Sequence, residues 1–399
     1  MASRGVVRKA CSKKDHWQMK VGIVTFFRAP NYGAMLQAYA LCHYLKDRGH
    51  EVEFIDYAFG NTRRIPLWKC FIVRNLHNCI DTIRRKMKMY VRFDIVHFAD
   101  NIPRSQRVST FESLKNLGKK YYAVIVGSDQ MWNPVWCSES FLPIVMLDFV
   151  PKGVKRVSYA VSFGTKVWRS EQNAEVAGRL LREFDAISVR EESGVDLVRE
   201  LSGREDVKWV IDPTLLHTAL FYKNLFNDEC KKENKYILSY VLDEWLNNDD
   251  IESVLRLVKS CTAIKEVHTD KIPVKGVLSL VCKALRVQSK MSVGKWLSEI
   301  ANADFVVTNS FHGTVFSILF HKPFLTIPVS GSLSGMNERV VSLLTMVGLE
   351  SRIVKLEDVN ICIGSRHNGI NWAEVDRKLD SEKTKADAFL QSVLLKREL

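Results

Sequence analysis

Thr308-Asn309-Ser310-Phe311-His312-Gly313-Thr314-Val315-Phe316-Ser317 joins a short apolar strand, Phe305-Val306-Val307, to an apolar helix that runs on to Phe320. A polar turn between a buried strand and a helix start is where α/β proteins gather anions. There the free N–H groups and the helix dipole both point at the ligand. His312 and Gly313 sit at that spot, and a glycine lets a ligand approach the backbone closely. The stretch thus reads as one strand–turn–helix unit of an α/β fold. It carries either an anion subsite or, more plainly, a capped helix with an incidental histidine.

Upstream, the same rhythm repeats. Apolar runs at 21–26, 52–55, 123–126, 158–162, 186–189 and 209–211 read as short buried strands, and 34–48 as a helix capped by Gly49. Asp212-Pro213-Thr214 closes this first unit, and Asp212 is read as fixing the domain junction. Residues 217–235 are polar and charged, as an interdomain linker is. A second alternating unit has strands expected at 236–241, 264–268, 305–307 and 324–327, a helix over 336–347 stopped by Gly348, and a helix from 372 to 396. The expectation is a two-domain α/β protein. Residues 19–216 form the first Rossmann-like domain and 236–371 the second, with a cleft between them. The helical segment 372–399 is placed to cross back to the first domain.

Composition bounds the class. At 399 residues, 46% hydrophobic and 26% charged, the chain is an ordinary globular one with room for two cores. Nine cysteines lie scattered without a CxxC pair, as reduced packing thiols of a cytosolic protein do. No run reaches the roughly 18 apolar residues a membrane span needs. Residues 1–18 lack the apolar core of a signal peptide and are expected to be a disordered extension. Of the net charge of +13, that extension carries +4 and residues 61–107 carry +8, so the rest is near neutral. Within 61–107, Trp68, Ile72, Leu76, Ile80, Ile83 and Met87 follow helical spacing among Arg84, Arg85, Lys86 and Lys88. This basic helical insertion either packs on the core or rests on an anionic membrane surface. No RNA- or DNA-reading motif accompanies the charge, so no nucleic acid is expected. DxD, HxxxH and cysteine clusters are missing, as are GxGxxG and GxxxxGK[ST]. No metal, dinucleotide or nucleoside triphosphate is therefore expected.

The ordered set of segments is more specific than any one of them. Gly22-Ile23-Val24-Thr25-Phe26, Asn31-Tyr32-Gly33-Ala34-Met35-Leu36-Gln37-Ala38 and Val126-Gly127-Ser128-Asp129-Gln130-Met131-Trp132-Asn133 come first. Ser158-Tyr159-Ala160-Val161-Ser162-Phe163-Gly164, Ser188-Val189-Arg190-Glu191 and Ile211-Asp212-Pro213-Thr214 follow, and Met336-Asn337-Glu338-Arg339 comes after the histidine segment. In this order and spacing, over roughly residues 19–352, the chain closely resembles the polysaccharide pyruvyl transferase family. The resemblance implies a transferase that moves a pyruvyl group from phosphoenolpyruvate onto a sugar as a cyclic ketal. It also implies a fold like the two-domain GT-B glycosyltransferases.

That chemistry needs an anion clamp, a general acid for the methylene carbon and a base for the sugar hydroxyls. His312, at a helix start and of a residue type that titrates near neutral pH, is the candidate for clamp and acid together, with Gly313 and Thr314 beside it. Arg190 ends a strand, and its fork suits a carboxylate or phosphate; the alternative is an ion pair with Glu191 or Glu192. Arg339 is the basic residue that best fits the phosphoenolpyruvate-holding role in related sequences, with Lys322 as its competitor. Asp129, beside Ser128, is the candidate partner of a sugar hydroxyl, and Trp132 a platform for a sugar face; an Asx turn and a half-buried tryptophan are the plain readings. Asn31, Tyr32, Gly33 and Gln37 line the first strand-to-helix turn. The acceptor is expected to be an oligosaccharide or lipid-linked sugar, and the enzyme cytoplasmic, peripheral on the inner membrane face. No cofactor is expected beyond phosphoenolpyruvate as donor. A nucleotide-sugar glycosyltransferase on the same architecture is the alternative.

Overall fold

Two parallel sheets organise the molecule. The computed structural model describes residues 18–29, 31–58, 98–99, 102–135, 137–168, 171–226, 234–242, 248–269, 271–272, 289–329, 331–354 and 369–394. The expected extension 1–18 lies outside these apart from its last residue. The basic insertion 61–107 lies outside them apart from 98–99 and 102–107.

Strands β1 (Lys20–Val24), β2 (Glu51–Phe54), β3 (Ala123–Val126), β4 (Lys155–Val161), β5 (Ala186–Val189) and β6 (Lys208–Trp209) form the first sheet, ordered β2-β1-β3-β4-β5-β6. All its neighbours are parallel. Every residue of β3 is buried, as a strand covered on both faces requires. Strand β7 (Tyr236–Tyr240) and β8 (Glu266–Thr269) begin the second body, and β9 (Lys271–Ile272) pairs with β10 (Ser289–Lys290) in a small antiparallel ribbon. Then β11 (Phe305–Thr308) and β12 (Phe324–Thr326) complete a four-stranded parallel sheet, ordered β12-β11-β7-β8. The two-domain α/β architecture expected from the sequence is thus the one observed.

The helices alternate with these strands. They are α1 (Tyr32–Asp47), α2 (Phe111–Gly118), α3 (Leu142–Val145), α4 (Glu171–Leu181), α5 (Glu192–Ser202) and α6 (Ala219–Lys223) in the first half. In the second half come α7 (Asn248–Thr262), α8 (Val293–Asn302), α9 (Phe311–Leu319), α10 (Glu338–Val347) and α11 (Trp372–Leu394). All nine residues of α9 are buried, so its polar His312, Thr314 and Ser317 are enclosed along with its apolar residues. A 3-10 segment, Gly331–Asn337, precedes α10, so the helix starts two residues later than its pattern implied and Arg339 falls in its first turn. Among the described residues no helix is long and apolar enough to cross a membrane.

In each sheet the strand order reverses once, between β1 and β3 and between β7 and β11. Such reversals open crevices at the carboxyl ends of the strands, where α/β proteins bind ligands. Two further elements tie the bodies together. Tyr222 of α6 is fully buried, donates to the Thr214 carbonyl at 2.8 Å and packs edge-on against Phe316 at 4.9 Å. The start of the segment read as a polar linker is therefore an apolar junction. Helix α11 begins against the second body, with Trp372 stacked on His321 at 4.8 Å, and ends on the first, where Arg48 donates to Asp387 at 2.6 Å.

Candidate active site

The turn after β1 and the start of α9 meet face to face. Asn31 caps α1, its Oδ1 accepting from the amides of Gly33 at 2.9 Å and Ala34 at 3.2 Å. Tyr32 reaches across, donating to the Met291 carbonyl at 2.9 Å and stacking on Trp296 at 4.8 Å. Between them Gly33 presents a bare Cα to the His312 ring. A Cβ there would lie 1.9 Å from Nδ1, so glycine is required for the two bodies to touch at this point. The sequence places all three residues at the cleft, but nothing in it shows that Gly33 faces the histidine.

Behind this contact lies a buried charge network. Arg190, at the end of β5, donates through Nη1 to Asp212 Oδ2 at 2.8 Å; its Nε stands 3.5 Å from Glu191 Oε1 and its Nη2 3.5 Å from Asp129 Oδ1. Asp212 caps the 3-10 turn Pro213–Leu216, and its Oδ1 accepts from the Thr214 amide at 3.0 Å and hydroxyl at 2.6 Å. Ser128 Oγ lies 3.0 Å from Asp212 Oδ2 and 2.8 Å from the Ala160 carbonyl. Burial opposes the Asp212 charge, but His312, Arg190 and Thr214 outweigh it and hold this carboxyl well below the usual carboxylate range. Burial likewise opposes the Arg190 charge, yet Asp212, Glu191 and Asp129 raise its pKa above the ordinary value. The ion pair weighed for Arg190 is therefore real, with Glu191 as one partner, and Asp212 is the stronger one.

Across the cleft the second body supplies Phe311, His312 and Arg339. Phe311 packs against two guanidiniums, Arg190 at 4.4 Å and Arg339 at 6.0 Å from its ring centre, and edge-on to His312 at 5.0 Å. Arg339 is buried, donates through Nε to the Met336 carbonyl at 3.2 Å, and has no carboxylate within ion-pair distance among the described residues. Burial and the neighbouring Arg190 lower its pKa to about 10. His312 Nε2 points at Asp212 Oδ2 from 3.8 Å, too far for a hydrogen bond. Both His312 Nε2 and Arg190 Nη2 are buried without a hydrogen-bond partner. Such orphans are costly in a finished core and normal where an anion is to be received.

Four candidates turn out to work as structure. Trp132 is fully buried, its indole N–H donating to the Val145 carbonyl at 3.0 Å and its ring 5.4 Å from Phe163, so no face remains for a sugar. Gln37 is likewise enclosed; its amide bridges Thr25 Oγ1 and the Ala34 carbonyl, both at 2.9 Å, and Thr25 in turn holds the Ser128 carbonyl at 3.1 Å. Gly313 is small because Thr308 Oγ1 would lie 2.4 Å from any Cβ, and its amide is capped by Ser310 Oγ. Thr314 bonds the Ser310 carbonyl at 3.1 Å and lies 3.0 Å from Thr326 Oγ1. Lys322, the alternative to Arg339, precedes β12, at the amino end of its strand, whereas Arg190 and His312 follow the carboxyl ends of theirs. Asp129 stays with the network and keeps some solvent contact, its backbone in the left-handed region at φ 70°. The reading of the sequence missed Asp212, Glu191 and Phe311 as site residues. Their presence in the ordered segments was the available signal.

Among the described residues no three or more His, Cys, Asp or Glu side chains gather as metal ligands do. A family model described as "Polysaccharide pyruvyl transferase" matches residues 31–331. No curated protein matches the chain. Among solved structures it is similar to a putative UDP-N-acetylglucosamine 2-epimerase from Listeria monocytogenes, at 10% identity and TM-score 0.50, over 94% of this chain and 96% of that one. It is similar also to Arabidopsis thaliana UGT89C1, at 10% identity and TM-score 0.50, over 95% of this chain and 100% of that one. These likenesses concern the fold alone, which is GT-B-like.

Proposed function

We propose that this chain, which belongs to the polysaccharide pyruvyl transferase family, moves the pyruvyl group of phosphoenolpyruvate onto two hydroxyls of one sugar in a cell-surface glycan or its lipid-linked precursor. The observation that carries the reading is the set of donors around Phe311: Arg190 Nη2 and His312 Nε2, buried without a hydrogen-bond partner, and the Arg339 guanidinium, which has no ion pair among the described residues. A ligand bearing a phosphate and a carboxylate close together fits that set.

The steps follow from the groups present. Arg190 and Arg339 hold the two anionic ends of phosphoenolpyruvate, and His312 delivers a proton to its methylene carbon, which makes C2 electrophilic. A sugar hydroxyl adds to C2 as Asp129 takes its proton. The C2–O bond to phosphate breaks, the arginines stabilise the departing anion, and the second hydroxyl closes the ketal with loss of its proton. The basic segment 61–107 supports a peripheral station on an anionic membrane, near a lipid-linked acceptor, to be read by salt-dependent vesicle sedimentation.

Phosphate release and the mass of the glycan product test the reading together. His312→Ala should lower turnover by about 10²-fold or more, and wild-type turnover should survive EDTA. Protection in thermal melts by nucleotide sugars and not by phosphoenolpyruvate would favour a glycosyltransferase instead. Near-normal turnover in His312→Ala would remove the proposed acid.

A further inference from the structure

We infer that Asp212 is a positioning residue of the transfer site, aiming Arg190 and His312 from the junction between the two bodies; the inference rests on the pyruvyl-transfer reading. Its Oδ2 accepts from Arg190 Nη1 at 2.8 Å and faces His312 Nε2 at 3.8 Å, so one oxygen addresses a group from each body. Thr214 fixes the other oxygen twice, and Ser128 Oγ adds a contact at 3.0 Å. A fully buried carboxylate held at both oxygens cannot swing, and whatever it faces inherits that fixed geometry.

Charge balance gives the carboxylate a second task. Arg190 and Arg339 both approach Phe311, and His312 lies edge-on to the same ring. Asp129 and Glu191 each stand 3.5 Å from Arg190 and form no ion pair with Arg339 or His312 among the described residues. Among the described carboxylates Asp212 alone lies within 4 Å of both Arg190 and His312; without it Asp129 and Glu191 would still pair Arg190, but no carboxylate would face the imidazole. When phosphoenolpyruvate is bound, its own charges supply the counter-ion. The carboxylate then matters for where the arginine fork and the imidazole point rather than for how tightly the donor binds. Misplacement of about 1 Å in reacting groups is worth about 10²-fold in rate.

The test separates rate from affinity. Asp212→Asn keeps the shape and an acceptor for Thr214 but loses the charge. It should lower kcat by about 10²-fold while the dissociation constant for phosphoenolpyruvate, read by calorimetry, stays within about threefold or tightens. Parallel weakening of kcat and affinity, or an unchanged kcat, overturns the inference. Should Asp212→Asn fail to fold, Thr214→Val, which removes one bond to the carboxylate, should lower kcat at constant affinity, and Thr214→Ser should restore it. Failure of Ser to restore what Val removes would mark a packing role only. A third reading needs no substrate: the imidazole nitrogen signals of His312 in NMR should be single in wild type and broadened or split in Asp212→Asn. If wild type neither binds nor consumes phosphoenolpyruvate yet these signals change, the functional reading fails and the positioning stands. Unchanged signals overturn the positioning whatever the reaction.

Discussion

Arg190 and Arg339 both approach the Phe311 ring, at 4.4 and 6.0 Å from its centre, and both are buried, but their charges are balanced differently. The first, from the N-terminal body, is surrounded by Asp212, Glu191 and Asp129, which lift its pKa above the ordinary value against the pull of burial. The second, from the C-terminal body, has a backbone carbonyl and no ion pair among the described residues; burial and repulsion from Arg190 outweigh the pull of Asp129, Glu191 and Asp212 and lower its pKa to about 10. Arg190 is largely neutralised by its carboxylates yet keeps Nη2 without a hydrogen bond, whereas Arg339 has no ion pair among the described residues. A charged group kept buried against its own stability points to what the site is for.

The largest effect expected from this contrast is on folding. Arg190→Met leaves Asp212 and Glu191 buried without their cation, and should destabilise the protein by about 3–5 kcal/mol in denaturant unfolding at neutral pH. The pH dependence follows in sign. Asp212 has a folded pKa below its unfolded one, so its contribution is complete above the ordinary carboxylate range of about 4 and is lost as pH falls below it. Wild type should therefore lose stability steeply on acidification below about pH 4, and Arg190→Met, whose Asp212 has lost a partner, less steeply. Parallel acid profiles would break the comparison by showing that the carboxylates do not depend on this arginine.

Arg339→Met should behave in the other direction. Burial and the neighbouring Arg190 oppose this cation at a cost on the order of 3 kcal/mol. An apolar side chain of similar length should leave the free protein as stable as wild type or more so. What it should lose is ligand protection: the stabilisation that saturating phosphoenolpyruvate gives in thermal melts, about 2–3 kcal/mol at a hundredfold excess over Kd, should fall to near zero. Destabilisation of the free protein, with protection intact, would make Arg339 a structural arginine and leave the site with one.

This pair also marks how far the sequence could be read. The parallel sheets were legible because β3, β7 and β11 are apolar runs between turn residues, and because His312, Arg190 and Asp129 all follow strand ends. Local pattern carries such facts. It does not carry the partnership of Asp212 with a histidine 100 positions on, or the approach of the Gly33 backbone to that same ring; these arise only when two bodies are docked. Phe311 was hidden for a related reason. An apolar residue in an apolar helix reads as core, and only its two neighbouring guanidiniums show that its ring has another use.

Trp132 gives the smallest expected effect and separates site from scaffold. It sits three residues after Asp129 in a loop that bends into the network, which is why its sequence position resembles that of a sugar platform. Its ring is enclosed between Phe163 and Phe184, however, and its only polar atom is satisfied by Val145. Trp132→Phe keeps an aromatic ring in the same place, opens a small void and leaves the Val145 carbonyl without its donor. Unfolding should register about 1–2 kcal/mol of lost stability. The KM for the glycan acceptor should not move, because no sugar touches the ring, and kcat should stay within about twofold, since the backbone of Asp129 is held independently by Met131 and Ser162 amides. A rise in acceptor KM at unchanged stability would return Trp132 to the binding surface, and would require the loop from Gly127 to Asn133 to open when the acceptor arrives.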